Sequence, residues 1–113
     1  MLEKTLTNKI IKSLNNIDGV WVYKRYAPSG NEAGQPDITG IAKGLRVEIE
    51  VKAPHRRDVF EEAELSDLID KNLQIASKRQ QYYIKKYKEL GAITGVVTGL
   101  DQALWLINNK IKG

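Results

Sequence analysis

Apolar residues recur at every fourth position at the start of the chain: Leu2, Leu6, Ile10 and Leu14, with Lys4, Lys9 and Lys12 elsewhere on the turn. That spacing predicts an amphipathic helix over residues 2–15, stopped by Asn15-Asn16 and Gly19. Val20–Tyr26 is rich in β-branched and aromatic residues and predicts a strand, followed by a loop over the proline- and glycine-rich Ala27–Pro36. Asp37–Ala42 and Leu45–Ala53 predict two strands joined through the Lys43-Gly44 turn, the second ending at Pro54. Residues 55–72 are ambiguous. Leu65, Leu68, Ile69 and Leu73 have helical spacing, while the acidic stretch before them reads equally well as a mobile lid. A helix is predicted from about Leu73 to Leu90, capped by Gly91, then a buried strand over Ile93–Thr98. A last helix spans Leu100–Ile111, with Leu104, Ile107 and Ile111 on one face. The order is α-β-β-β-α-β-α.

Composition narrows the chemistry. The 113 residues suit one domain, and 42% hydrophobic with 28% charged residues can build one ordinary core. No run of 18 apolar residues occurs, so neither a membrane span nor a secretory signal is expected. The absence of cysteine removes disulfides, thiolate metal sites and thiol nucleophiles, and a single histidine, His55, removes a multi-histidine centre. A metal held here would therefore be bound by oxygen, which favours Mg²⁺, Mn²⁺ or Ca²⁺. The net charge of +4 is uneven: +4 over residues 1–57, −5 over 58–72 and +5 over 73–113. Two basic blocks flank an acidic one, a distribution compatible with a nucleic-acid partner.

The chemistry-bearing residues cluster on the predicted hairpin. Side chains alternate along a strand, so Arg46, Glu48, Glu50 and Lys52 share one face while Val47, Ile49 and Val51 share the other. Pairing across the Lys43-Gly44 turn brings Asp37 beside Glu50, with Lys52 about 7 Å further along the same face. Two adjacent carboxylates repel unless a cation lies between them. A divalent ion held by Asp37 and Glu50 can polarise a phosphoryl oxygen, and a lysine beside it can stabilise the charge that develops in phosphodiester hydrolysis. Glu48 is expected to form a cross-strand ion pair with a basic neighbour, an outer contact to the metal being the alternative. Gln80 shares a helical stripe with Tyr83, Tyr87 and Leu90, and a glutamine on a sheet-facing stripe needs a buried polar partner. Trp21 and Trp105 are expected in the core, and His55 in a loop near the cleft.

Pro36-Asp37 followed by Glu50-Val51-Lys52 resembles the PD-(D/E)XK nuclease signature. Gly34-x-Pro36-Asp37-Ile38 with Ile49-Glu50-Val51-Lys52-Ala53-Pro54 is similar, more narrowly, to the VRR-NUC branch, the virus-type replication-repair nucleases. Glu3 near the start of the first helix, and Gln80-x-x-Tyr83-Ile84-x-x-Tyr87 running into Gly91-Ala92, extend the likeness over almost the whole chain. The resemblance implies a restriction-endonuclease-like α/β fold, a central mixed sheet flanked by helices. It also implies a Mg²⁺-dependent (or Mn²⁺-dependent) deoxyribonuclease acting by in-line attack of an activated water. Asp37, Glu50 and the Val51 carbonyl would bind the metal, Lys52 would activate or stabilise, Gln80 would orient Lys52 or DNA, and Glu3 would complete the shell. The family's replication and repair setting further implies a cytoplasmic protein of a bacterial or phage-infected cell. Residues 55–72 depart from the family pattern as a long acidic insert.

DNA contacts are expected from Lys24, Arg25, Arg56, Arg57, Lys78, Arg79 and Lys85, which would position phosphates without reading bases. With no base-reading motif, a branched substrate such as a four-way junction is favoured, and its paired cuts call for a C₂ homodimer. Two other readings stay open: a DNA-binding module on the same fold without turnover, and a partner-binding protein that uses the acidic insert.

Overall fold

The computed structural model describes residues 2–26, 33–53 and 64–111. Four helices, α1 (Glu3–Leu14), α2 (Leu65–Asn72), α3 (Lys78–Glu89) and α4 (Leu100–Ile111), surround four strands, β1 (Val20–Lys24), β2 (Ile38–Ala42), β3 (Leu45–Val51) and β4 (Ile93–Val97). The strands lie side by side in the order β1-β2-β3-β4. The first three are antiparallel neighbours, and β4 runs parallel to β3, which makes the sheet mixed. Among the described residues, no helix is long and apolar enough to cross a membrane.

The two faces of the sheet differ in kind. Val22, Ile38, Val47, Ile49, Val51, Ile93 and Val97 point to one side and are buried beneath α1 and α4. Leu6, Ile10 and Leu14 of α1 meet Ala103, Leu106 and Ile107 of α4 there, so the four-residue spacing of the first helix is the stripe that faces the core. On the other side α3 covers β3 and β4 through a smaller cluster of Ala76, Ile84 and Val96. That second face carries the polar row of β3.

The β2–β3 connection sets the register. Lys43 and Gly44 both have positive φ (48° and 85°), the backbone of a two-residue hairpin turn whose twist matches the flanking strands. Ala42 then pairs with Leu45, and Ile38 with Ile49. Asp37, one residue before the last pair, falls beside Glu50, as the turn predicts.

In the middle of the chain one open reading is resolved and one expectation is corrected. Residues 55–72, left open between a helix and a lid, are helical over residues 65–72: these form α2, which buries Leu68 and Ile69 and lies along the open edge of β4. A side chain at Gly95 would come within 2.8 Å of Ile69, so the glycine permits this approach. Buried Asn72 donates to the Val96 carbonyl and to Gln102 Oε1 (2.9 and 2.7 Å), closing an edge that would otherwise expose backbone acceptors. The helix predicted from Leu73 starts later. Leu73–Ile75 is a 3₁₀ turn, Ala76 is extended, and α3 begins at Lys78 behind the cap Ser77. The Ser77 hydroxyl accepts from the Gln80 amide N–H, and the Gln80 side chain accepts from the Ser77 N–H, a reciprocal cap that fixes this start. The element order is therefore α-β-β-β-α-α-β-α. His55, Arg56 and Arg57 lie outside the described residues.

Candidate active site

Glu50 is 2% exposed, on the face of β3 beneath α3. Its Oε2 accepts a hydrogen bond from Gln80 Nε2 at 3.0 Å and stands 3.7 Å from Lys52 Nζ. Its Oε1 is buried and has no hydrogen-bond partner among the described residues. Asp37 Oδ2 accepts from the Val51 amide N–H at 3.0 Å, which aims the carboxylate at the same peptide that carries Glu50. The Asp37 carbonyl accepts from Arg25 N–H at 2.7 Å, so β1 braces the segment just ahead of β2.

These contacts explain the protonation of the pair. Burial, above all, raises the Glu50 pKa from 4.5 to about 8; the Asp37 charge adds to this, Lys52 opposes it, and Asp37 also accepts a hydrogen bond from the protonated form. Glu3 contributes a smaller push in the same direction. Near neutral pH Glu50 is thus held largely protonated, and a cation between the two carboxyl groups would relieve the same repulsion.

Gln80 serves two ends at once. Its oxygen caps α3 at Ser77 while its nitrogen holds Glu50, so the helix start and the carboxylate orientation are locked by one amide. Four of the residues singled out in the sequence, Asp37, Glu50, Lys52 and Gln80, are gathered here with the Val51 backbone. Glu3 stands apart on the exposed first turn of α1, connected by charge alone, and its carbonyl accepts from Thr7 Oγ1. Among the described residues no three acidic or histidine side chains converge into a ready-made metal cage. The donor set is two carboxylates and backbone oxygen, with one buried carboxylate oxygen unpartnered, and it fits a hard divalent ion that retains water ligands.

Two residues behind, Glu48 is wholly buried and paired on every side. Arg25 and Arg46 form ion pairs with it, the Arg46 contact at 2.8 Å, and Thr39 Oγ1 donates at 2.6 Å. The cross-strand ion pair expected of Glu48 is therefore present. Arg25, expected to meet DNA, is engaged by Glu48 and by the Pro36 carbonyl. Lys24, Lys78, Arg79 and Lys85 are exposed. Trp21 corrects another expectation: it is 65% exposed, not in the core, while Trp105 packs against the main cluster.

The fold as a whole is similar to that of a solved VRR_NUC domain protein. The TM-score is 0.66 at 16% sequence identity, and the superposition covers 99% of this chain and 89% of that one. No protein-family model matches the chain, and no curated protein is similar to it. The likeness to the VRR_NUC structure establishes the mixed sheet flanked by helices. Sequence reasoning missed the double use of Gln80, although Ser77-x-x-Gln80 is the pattern of a capping box.

Proposed function

We propose that this chain is a metal-dependent DNA endonuclease, with Asp37, Glu50 and the Val51 carbonyl holding Mg²⁺ or Mn²⁺. The observation that carries the reading is the buried Glu50 Oε1, which accepts no hydrogen bond among the described residues, in a carboxyl group that feels the Asp37 charge and has the Lys52 ammonium 3.7 Å from its other oxygen. Folding gains nothing from such an arrangement, because a buried carboxyl oxygen that accepts no hydrogen bond, close to a second carboxylate, is costly. A bound divalent ion would supply Lewis-acid polarisation of a phosphoryl oxygen and favour ionisation of nearby water.

The protein's own groups do the rest. Gln80 keeps Glu50 aimed, so its carboxylate does not have to reorganise when the phosphate arrives. Lys52, half-buried beside Glu50, donates to a non-bridging phosphate oxygen and offsets the negative charge that builds up on attack. Lys24, Lys78, Arg79 and Lys85 supply sequence-independent phosphate contacts. A branched substrate, with two copies of the chain making paired cuts, agrees with the lack of a base-reading element.

The test compares a labelled four-way junction with a linear duplex of the same sequence, under Mg²⁺, Mn²⁺ or EDTA. Paired nicks on the junction that vanish with EDTA, and fall at least ~1000-fold in Glu50→Ala and Lys52→Ala, are expected from the loss of transition-state stabilisation. Equal cutting of the duplex would remove the branched-substrate reading. Tight binding without cleavage under either metal would overturn the enzyme.

A further inference from the structure

The polar face of the sheet is only half covered. α3 lies over β3 and β4, while the β1–β2 half leaves Trp21, Tyr23 and Ile41 65%, 45% and 52% exposed. The Trp21 and Tyr23 rings stand 4.9 Å apart at 43°, and with Thr39, Ile41 and Arg46 they border a shallow groove of about 360 Å³. The register runs this patch into the active site. Tyr23 pairs with Thr39 and Thr39 with Glu48; Trp21 pairs with Ile41 and Ile41 with Arg46. These rows lie roughly 7 and 14 Å from Glu50 along the strand, on the same face.

We propose that this half-face is a stacking platform for unpaired nucleotides that lead into the Asp37–Glu50 site, with Trp21 and Tyr23 taking the bases. The proposal rests on the nuclease reading and gives it a substrate class: DNA with a single-stranded segment beside the scissile phosphate. Charge selects this occupant. Two guanidiniums, Arg25 and Arg46, share the one carboxylate of Glu48, an excess of one positive charge in this cluster, and Arg46 borders the groove. Arg46 is 58% exposed and also lies over the Tyr87 ring, 5.0 Å from its centroid. A second copy of the chain docked across a two-fold axis would set this charge against itself, whereas a phosphate strand is attracted to it. Flat aromatic surface beside surplus cation is the combination that binds single strands without regard to sequence, since every base has a face to stack.

The experiment measures binding of labelled oligothymidylate and of a blunt duplex, in EDTA, over a salt titration, for the wild type, Trp21→Ala and Trp21→Phe. Trp21→Ala is expected to weaken oligothymidylate binding about 10-fold, with duplex affinity unchanged and the Phe variant retaining most of the wild-type affinity. The salt slope should stay the same, because a stacked ring releases no counterions. An unchanged oligothymidylate affinity, an equal loss on the duplex, or an altered slope overturns the platform. Dimers by light scattering that dissociate in Trp21→Ala, with oligonucleotide affinity intact, would make the face a protein contact and likewise overturn it. Metal-dependent junction cleavage by Trp21→Ala is read in parallel: if it persists while the stacking result fails, the platform falls and the nuclease stands. If the wild type neither binds nor cuts any DNA, both fall.

Discussion

Glu48 and Glu50 lie two residues apart on one strand, point to the same side of the sheet and are both buried, yet their surroundings are opposite. Glu48 is met by two arginines and a threonine hydroxyl, so each oxygen is satisfied by groups from β2, its own strand or the residue just after β1. Glu50 has one amide and a more distant ammonium on one oxygen, no donor on the other among the described residues, and the Asp37 charge nearby. Burial is therefore not what distinguishes a structural acid from a reactive one. The difference is whether the partners cancel the charge or leave room for something else to do so.

The contrast is broken most forcefully at Glu48. Glu48→Ala leaves Arg25 and Arg46 without their shared anion, and a buried pair with one partner removed typically loses about 3–5 kcal/mol. Urea denaturation should detect a loss of that order, a large part of the stability of a domain this size. A change under about 0.5 kcal/mol, the scale of a surface substitution, would mean that Glu48 is not the fixed structural ion pair described here.

At Glu50 the expected sign is reversed. Its folded pKa is raised from 4.5 to about 8, so the neutral form is favoured by folding. The stability this contributes is complete below pH 4.5 and is lost as the pH rises towards 8. Glu50→Gln, which does not titrate, should therefore gain on the wild type across this window in EDTA, by at most about 1.4 kcal/mol per pH unit. Adding Mn²⁺ at pH 8 should then stabilise the wild type more than the variant. Thermal melts that stay parallel from pH 4.5 to 8 would refute the raised pKa.

The same contrast shows how far the sequence could be read. Alternation along Arg46–Lys52 and the Lys43-Gly44 turn were enough to set Asp37 beside Glu50, because register follows from a two-residue loop. The helical stripe required a buried polar partner for Gln80, and the resemblance implied Lys52 or DNA; the partner found is Glu50. Helix α2 was legible only as one of two readings, because its helical spacing follows directly on the acidic stretch and it buries just Leu68, Ile69 and Asn72. Leu73 continues the spacing of Ile69, which masked the break before Ser77. Trp21 alternates with Val20 and Val22, so its face was legible, but whether a helix covers that face is decided by α3, which reaches only β3 and β4. Arg25 was read as a basic surface residue for want of any local sign that Glu48 is buried opposite it.

In the proposed function the Asp37–Glu50 pair exchanges a proton for a divalent ion. Calorimetric titration of Mn²⁺ at pH 7, repeated in buffers of different ionisation enthalpy, measures both events together. One ion bound with release of close to one proton, and both signals lost in Glu50→Gln, is the predicted result. Binding that releases no proton, or that is unchanged in Glu50→Gln, would contradict it.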